Sequence, residues 1–423
     1  MYRSKIHFFL AFLLWNYAYS FAVMYDNQVF VSYIKTVQFF PTENEMGFAA
    51  IQLNSPETLV LHFDDLSNKS KTFYYTVQQC RADWSPSDMN IMEYTEGFTE
   101  STINDYSYSN GTKVPYTHYT MTFPNNDMRI TKSGNYALIV YETNKENPVF
   151  TLRFMVYEPR VSIDAHVAYP RNLSDRSKLQ EVVFKVNYKN FQIDNPPMEV
   201  KAVVLQNFRW DNAKYEIRPL LFGNNELNFD FNGMLTFPSG REFRQFDTRS
   251  IRFRGQNIRA LDIRDNSNDF YLLFDSPLQT YKYQYYKDLN GLYYVESYEN
   301  PDYNTGADYA SVHFTLGFPN LLANGNFYVV GAFNNYTCDE WSKMSYNFSD
   351  KSYNASILMK QGLYNYSYIF KDENNKLADQ TITEGFYEDT ENNYTVLLYY
   401  TPFGERYDRL IGIKHINSIY NRY

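Results

Sequence analysis

The stretch CRADWSPSDM, Cys80 to Met89, sets a thiol, a guanidinium, a carboxylate and an indole within five consecutive positions. A thiol beside a cation can have a lowered pKa and act as a nucleophile. Cysteine catalysis also needs an imidazole base, and the nearest histidine in sequence is His62, in the preceding TLVLHFDDL. Cys80 closes an alternating strand and WSPSD opens a turn, so the pattern favours a buried thiol with Trp84 as an aromatic anchor. Asp64 and Asp65 of FDDL, and Asp372 and Glu373 of DEN, are adjacent acids that could supply a glycosidase pair. Neighbours on a strand point to opposite faces, which suits a loop or a solvated edge better than a shared cleft. No HExxH, CxxC, GxSxG or glycine-rich phosphate loop occurs, and the six histidines are scattered. Neither catalysis nor a cofactor or metal is expected.

The elements that position these residues read as strands. Segments such as ETLVLHF, TFYYTVQQ, YALIVYE, EVVFKVNY, VKAVVLQNF, DFYLLF, FYVVGAF and YNYSYIF recur along the chain, separated by Asn-Gly, Ser-Gly, Pro-Ser and Asn-Pro. In KTFYYTVQQ, Phe73, Tyr75 and Val77 share one face while Tyr74, Thr76 and Gln78 share the other. The 42 Tyr and 34 Phe suit pleated, half-buried surfaces. No dozen residues carry a helical period, and Asn172 to Glu181 has room for one short helical turn at most. The expected fold class is all-β, three tandem antiparallel β-sandwiches of Ig-like type. VYEPR and YENPDYNTGAD mark the boundaries, giving units 21–158, 159–300 and 301–423.

Residues 1–20 have the form of a secretory signal: Arg3 and Lys5, an apolar run from Ile6 to Trp15, then Ala18-Tyr19-Ser20. Without them the chain holds 37 Lys and Arg against 48 Asp and Glu, a balance of −11 that repels phosphate backbones and anionic lipid. Nucleic acid is therefore not expected, and since no later segment offers 18 uninterrupted apolar residues, neither is direct membrane insertion. Cys80 and Cys338 fall in different units and are expected to be unpaired thiols.

In the C-terminal unit, NFYVVGAFNNYTCDEWSKMSYN followed by YNASILMKQGLYNYSYIF resembles the starch- and glycogen-binding sandwich modules, whose corresponding loop stacks aromatics on sugar rings. Phe333, Tyr336 and Trp341 are the candidate ligand or partner contacts. Tyr336 stands where those modules usually carry a tryptophan, so carbohydrate is not the expected ligand.

Over nearly the whole mature length the chain resembles the type IX secretion system plug protein family. The matching stretches include LVLHFDDL, CRADWSPSDM, SGNYALIVY, RFMVYE, QNFRWDNA, REFRQFDTRSIRF, ADYASVHFTL, LMKQGLYNYSYIF, GFYEDTENNYTVLLYY and RYDRLIGI, in that order. Asp64, Asp65, Cys80, Asp83, Trp84 and Trp210 lie in them as family or structural positions. The family has a Cys-x-Ala-x-Trp segment here, commonly with an acid where this chain has Arg81, which argues against a catalytic dyad. The resemblance implies a non-enzymatic periplasmic protein, peripheral to the outer membrane, that caps the inner opening of the large outer-membrane translocon barrel in the absence of substrate. A glucan-binding protein and a glycoside hydrolase are the alternatives.

Overall fold

A computed structural model describes residues 25–422, apart from 70, 232, 234 and 374–377. The expected signal segment lies outside the described residues. Strands dominate, and they pair into sheets packed as three sandwiches, each around its own apolar core.

In the first sandwich, Phe150–Tyr157, Gly134–Tyr141 and Phe73–Cys80 form the centre of one sheet. Ile34–Pro41, Leu59–Asp65, Thr117–Phe123 and Asp105–Tyr108 form the other. Phe63, Phe73, Tyr119, Phe150 and Phe154 fill the space between them. The alternation read in Phe73–Cys80 is present: Phe73, Tyr75 and Val77 point into this core.

The second sandwich joins segments far apart in sequence. Val200–Gln206 pairs antiparallel with Asn393–Tyr400, from Val200 opposite Tyr400 to Gln206 opposite Tyr394, and Arg409–Asn417 continues the sheet. The facing sheet is built on Ser162–Ala168 and Leu179–Asn187. One core holds Val182, Phe184, Val204, Phe237, Val396 and Leu398 together.

The third sandwich is inserted into the second. Arg244–Asp247 and Tyr293–Val295 pair with Gly362–Asp372 in one sheet, and Tyr309–Gly317 pairs with Ser352–Lys360 in the other. Its core runs from Phe246 to Phe370. The tandem division expected at 300/301 is thereby corrected. Residues 244–295 belong to the third core, and the last two long strands close the second. YENPDYNTGAD is a loop within the third sandwich, carrying the one-turn helix Tyr303–Gly306. Turn chemistry marks where a chain bends and not which strands pair. Asn172–Lys178 forms hydrogen-bonded turns, and strand begins at Leu179.

The first two sandwiches stack sheet on sheet. Every residue of Gly134–Tyr141 is buried, as are all but the first of Asn393–Tyr400. Ala137, Ile139 and Met155 on one side meet Val203, Leu205, Leu397 and Tyr399 on the other.

Candidate functional site at the junction of the three sandwiches

Of the residues singled out in the sequence, Asp64, Trp84, Trp210, Tyr336 and Trp341 fall at the joints between the sandwiches. Cys80 ends its strand, and Arg81, Ala82 and Asp83 turn the chain so that Trp84 enters the joint with the second sandwich. The turn is closed by Trp84 N donating to Arg81 O at 2.9 Å and Arg81 N donating to Ser85 O at 2.8 Å. Asp83 accepts from Ser85 N (3.0 Å) and Oγ (2.6 Å). Trp84 has a left-handed backbone, φ 68°, rare for a bulky residue and held by its surroundings. Its side chain is 0% exposed and meets Trp210 edge-to-face at 4.8 Å. The Arg153 guanidinium lies 4.6 Å from the Trp84 ring and 5.2 Å from that of Trp210. Arg153 is paired with Asp26 at 3.2 Å. Beside it Ala82 N donates to Asp408 Oδ2 at 2.7 Å, and Asp408 also takes Lys201 at 3.0 Å.

This arrangement does not activate the thiol. Burial pushes Cys80 up to about 12, and Arg81 turns outward to Asp88 at 2.7 Å. Cys80 is buried and Cys338 half-buried, and both are free. Titration of the denatured, unreduced mature protein should count two thiols; a count of zero in monomeric material would contradict this.

Asp64 lies at the joint between the first and third sandwiches. It sits opposite His118 across its strand pair, and Tyr309 sits opposite Lys360 across theirs; the two pairs face each other. Asp64 Oδ2 accepts from Lys360 Nζ and from Tyr309 OH, each at 2.7 Å, and Oδ1 meets His118 Nδ1 at 2.6 Å. His118 Nε2 lies 3.0 Å from His62 Nδ1, and Thr36 Oγ1 2.6 Å from Tyr309 OH. The Asp64 and Lys360 side chains are each 1% exposed. Burial alone would raise the Asp64 carboxyl, but the Lys360 ammonium and the His118 ring overcome it and hold the group below its ordinary value. Asp65 points elsewhere, accepting from Ser67 N (2.7 Å) and Oγ (3.0 Å). Asp64 and Asp65 therefore do not converge on a common site. At the other acid pair, Asp372 ends the strand Gly362–Asp372, and its Oδ2 accepts from Asn324 Nδ2 at 2.6 Å.

Tyr336 and Trp341, read as possible sugar platforms, are used between sandwiches. Tyr336 is 8% exposed, its hydroxyl donates to Gly291 O at 3.1 Å, and Arg209 of the second sandwich lies 4.1 Å from its ring. Arg209 is held bidentately by Asp211 at 3.0 and 2.6 Å. Trp341 is 43% exposed, with Lys35 of the first sandwich 5.3 Å from its ring. Phe333 packs edge-on against Trp341 and Tyr364, at 6.5 and 6.2 Å. A buried Tyr336 cannot stack on a sugar, so saturable binding of a maltooligosaccharide is not expected in calorimetry. Binding abolished by Trp341→Ala would overturn this.

Between the joints lies an open cleft of about 1040 Å³, lined by Phe40, Phe48, Arg209, Trp210, Phe243 and Tyr336 among others. No group of three or more His, Cys, Asp or Glu suited to a metal ion occurs among the described residues. Sequence reasoning missed Arg153, Arg209, His118, Tyr309 and Lys360. The last two reach Asp64 from 245 and 296 residues away, and no local pattern signals that.

The fold recurs in the crystal structure of a hypothetical protein from Parabacteroides merdae ATCC 43184, which is 34% identical to this chain. It covers 93% of this chain and 100% of the other, with a TM-score of 0.89. Residues 34–158, the first sandwich, match the family model described as the type 9 secretion system plug protein 1st domain. The first sandwich is a type 9 secretion system plug protein 1st domain. The matched domain supplies Asp64, Cys80, Asp83 and Trp84, the first-sandwich side of two of the joints. This plug domain links the chain to type IX secretion. The C-terminal domain of the Streptococcus pyogenes antigen I/II-family protein AspA aligns over 91% of this chain and 99% of its own. The identity is 9% and the TM-score 0.16. No curated protein matches the chain.

Proposed function

We propose that the protein is a non-enzymatic plug that caps the periplasmic opening of the outer-membrane barrel through which type IX substrates leave. The match of its first sandwich to the plug family carries the reading. The architecture supports it: three cores braced at three joints make a folded body too large to slip through a pore that its loops can fill. Among the described residues no helix is long and apolar enough to cross a membrane. The secretory form of residues 1–20 supports a periplasmic location, and the charge of −9 for the whole chain gives no basic field toward anionic lipid. Contact with the barrel falls to exposed aromatic and amide loops, with a modest salt dependence.

Deletion of the gene should admit large antibiotics or dyes that the envelope normally excludes, and removal of the barrel as well should restore exclusion. Unchanged permeability on deletion, with no barrel recovered beside tagged protein from solubilised envelopes, would overturn the proposal.

A further inference from the structure

The three joints differ in chemistry. Between the first and second sandwiches the contact is centred on an apolar cluster, with Trp84, Met155, Val203, Leu205, Leu397 and Tyr399 buried together and polar contacts such as Ala82 N to Asp408 and Tyr399 OH to Asn135 beside it. Separating that pair exposes the whole cluster to water. Among the described residues no apolar cluster spans the joint between the first and third sandwiches. Apart from Tyr116, which meets the Tyr309 ring edge-on at 5.5 Å and has Lys360 Nζ 4.1 Å from its own ring, its contacts are polar. Besides the Asp64 group, Asn110 N donates to Thr305 O at 2.9 Å, and Lys113 N and Val114 N donate to the Asp308 carboxylate at 2.9 and 3.1 Å. Tyr116 OH reaches the carbonyls of Asn304 and Ala307 at 3.0 and 2.8 Å. Such groups exchange protein partners for water at small net cost. A buried ion pair fixes where two surfaces seat more than it holds them together.

Covalently, the third sandwich hangs from the second by two chain crossings that run side by side. Tyr387 N donates to Gly240 O at 2.9 Å and Thr390 Oγ1 to the same carbonyl at 3.0 Å. The Arg209–Tyr336 contact lies next to them, because Tyr336 packs 6.2 Å from Phe243, just past the first crossing.

The geometry points to a hinged third sandwich that swings off the first about the crossings at Gly240 and Thr390, while the first two sandwiches stay one body. The movement parts the Asp64–His118 pair from the Tyr309–Lys360 pair and widens the cleft. Its purpose rests on the proposed capping role: a plug that must clear the pore for substrate changes shape at this polar joint. The movement itself does not depend on that role.

Amide exchange of the full mature chain tests the movement directly. The N–H groups of Asn110, Lys113 and Val114 are held across the polar joint, and those of Ala82 and Glu158 across the apolar one, to Asp408 and Leu410. The first set should exchange at least about tenfold faster than the second. Lys360→Met should speed the first set further and leave the second unchanged. Equal exchange at both joints, or joint acceleration of both in the variant, would overturn the hinge.

In cells, Asn110→Cys with Thr305→Cys bridges two segments already joined by a backbone hydrogen bond. The oxidised pair, confirmed by mass spectrometry, should leave the envelope sealed and lower secretion of type IX cargo. Normal secretion with the bridge formed would overturn opening as a working step. If deletion of the gene alters neither permeability nor secretion, the capping role fails while the exchange result stands by itself.

Discussion

Replacing Trp84 with alanine should lower the free energy of unfolding by about 3–5 kcal/mol, the range for deleting a large buried aromatic that leaves a cavity. The ring is fully buried at the joint of the first two sandwiches, edge-on to Trp210 and beneath Arg153. Truncation also strips the guanidinium of Arg153 of one of its two aromatic faces. The left-handed backbone at φ 68° stays unfavourable for alanine, so no relief of strain offsets the loss. Chemical denaturation followed by far-ultraviolet dichroism measures the change. Trp341→Ala, at a half-exposed site, is the control and should stay within about 0.5 kcal/mol of wild type. A loss below about 1 kcal/mol for Trp84→Ala would show that the joint repacks around the gap.

Removing Asp64 is the second large effect. Asp64→Ala leaves the Lys360 ammonium buried without its counter-charge, and breaking such a pair costs about 3–5 kcal/mol. The double variant Asp64→Leu with Lys360→Met replaces both charges by apolar groups and should recover most of that loss. A double variant no better than Asp64→Ala would show that the hydroxyl of Tyr309 and the ring of His118 need the carboxylate more than Lys360 does.

The pH dependence has a definite sign. The folded Asp64 carboxyl lies below its unfolded value, so its stabilisation is complete above the ordinary carboxylate range and is lost as pH falls through the folded value. The gap between wild type and Asp64→Ala should be constant near neutrality and narrow only in strong acid. His62 titrates in a different window. Burial and the neighbouring His118 lower it to about 4, so between its ordinary 6.5 and about 4 the unfolded chain binds a proton that the folded chain does not. Wild-type stability should therefore fall as pH drops through that window, on the order of 2–3 kcal/mol by pH 4. His62→Gln should remove this slope, and a slope unchanged in the variant would assign it to other groups.

The sequence by itself determined the class of the fold and the local role of many residues. Period-two alternation in Phe73–Cys80 marks a strand with one core face, because side chains leave a strand on alternating sides. YALIVY and TVLLYY break that alternation, and both strands are buried on two faces, since each lies between its own core and the neighbouring sandwich. The turn after Cys80 and the burial of Trp84 were legible from residue type and spacing. Only the tertiary structure decided the insertion of the third sandwich and the use of Asp64, Trp84, Tyr336 and Trp341 as joints. Their deciding contacts are Lys360, Arg153, Arg209 and Lys35, set by strand pairings such as Val200 opposite Tyr400. Periodicity reports which face of a strand is apolar. It carries no information about which distant strand or charge will be brought against that face, because that choice is made by the packing of whole sheets.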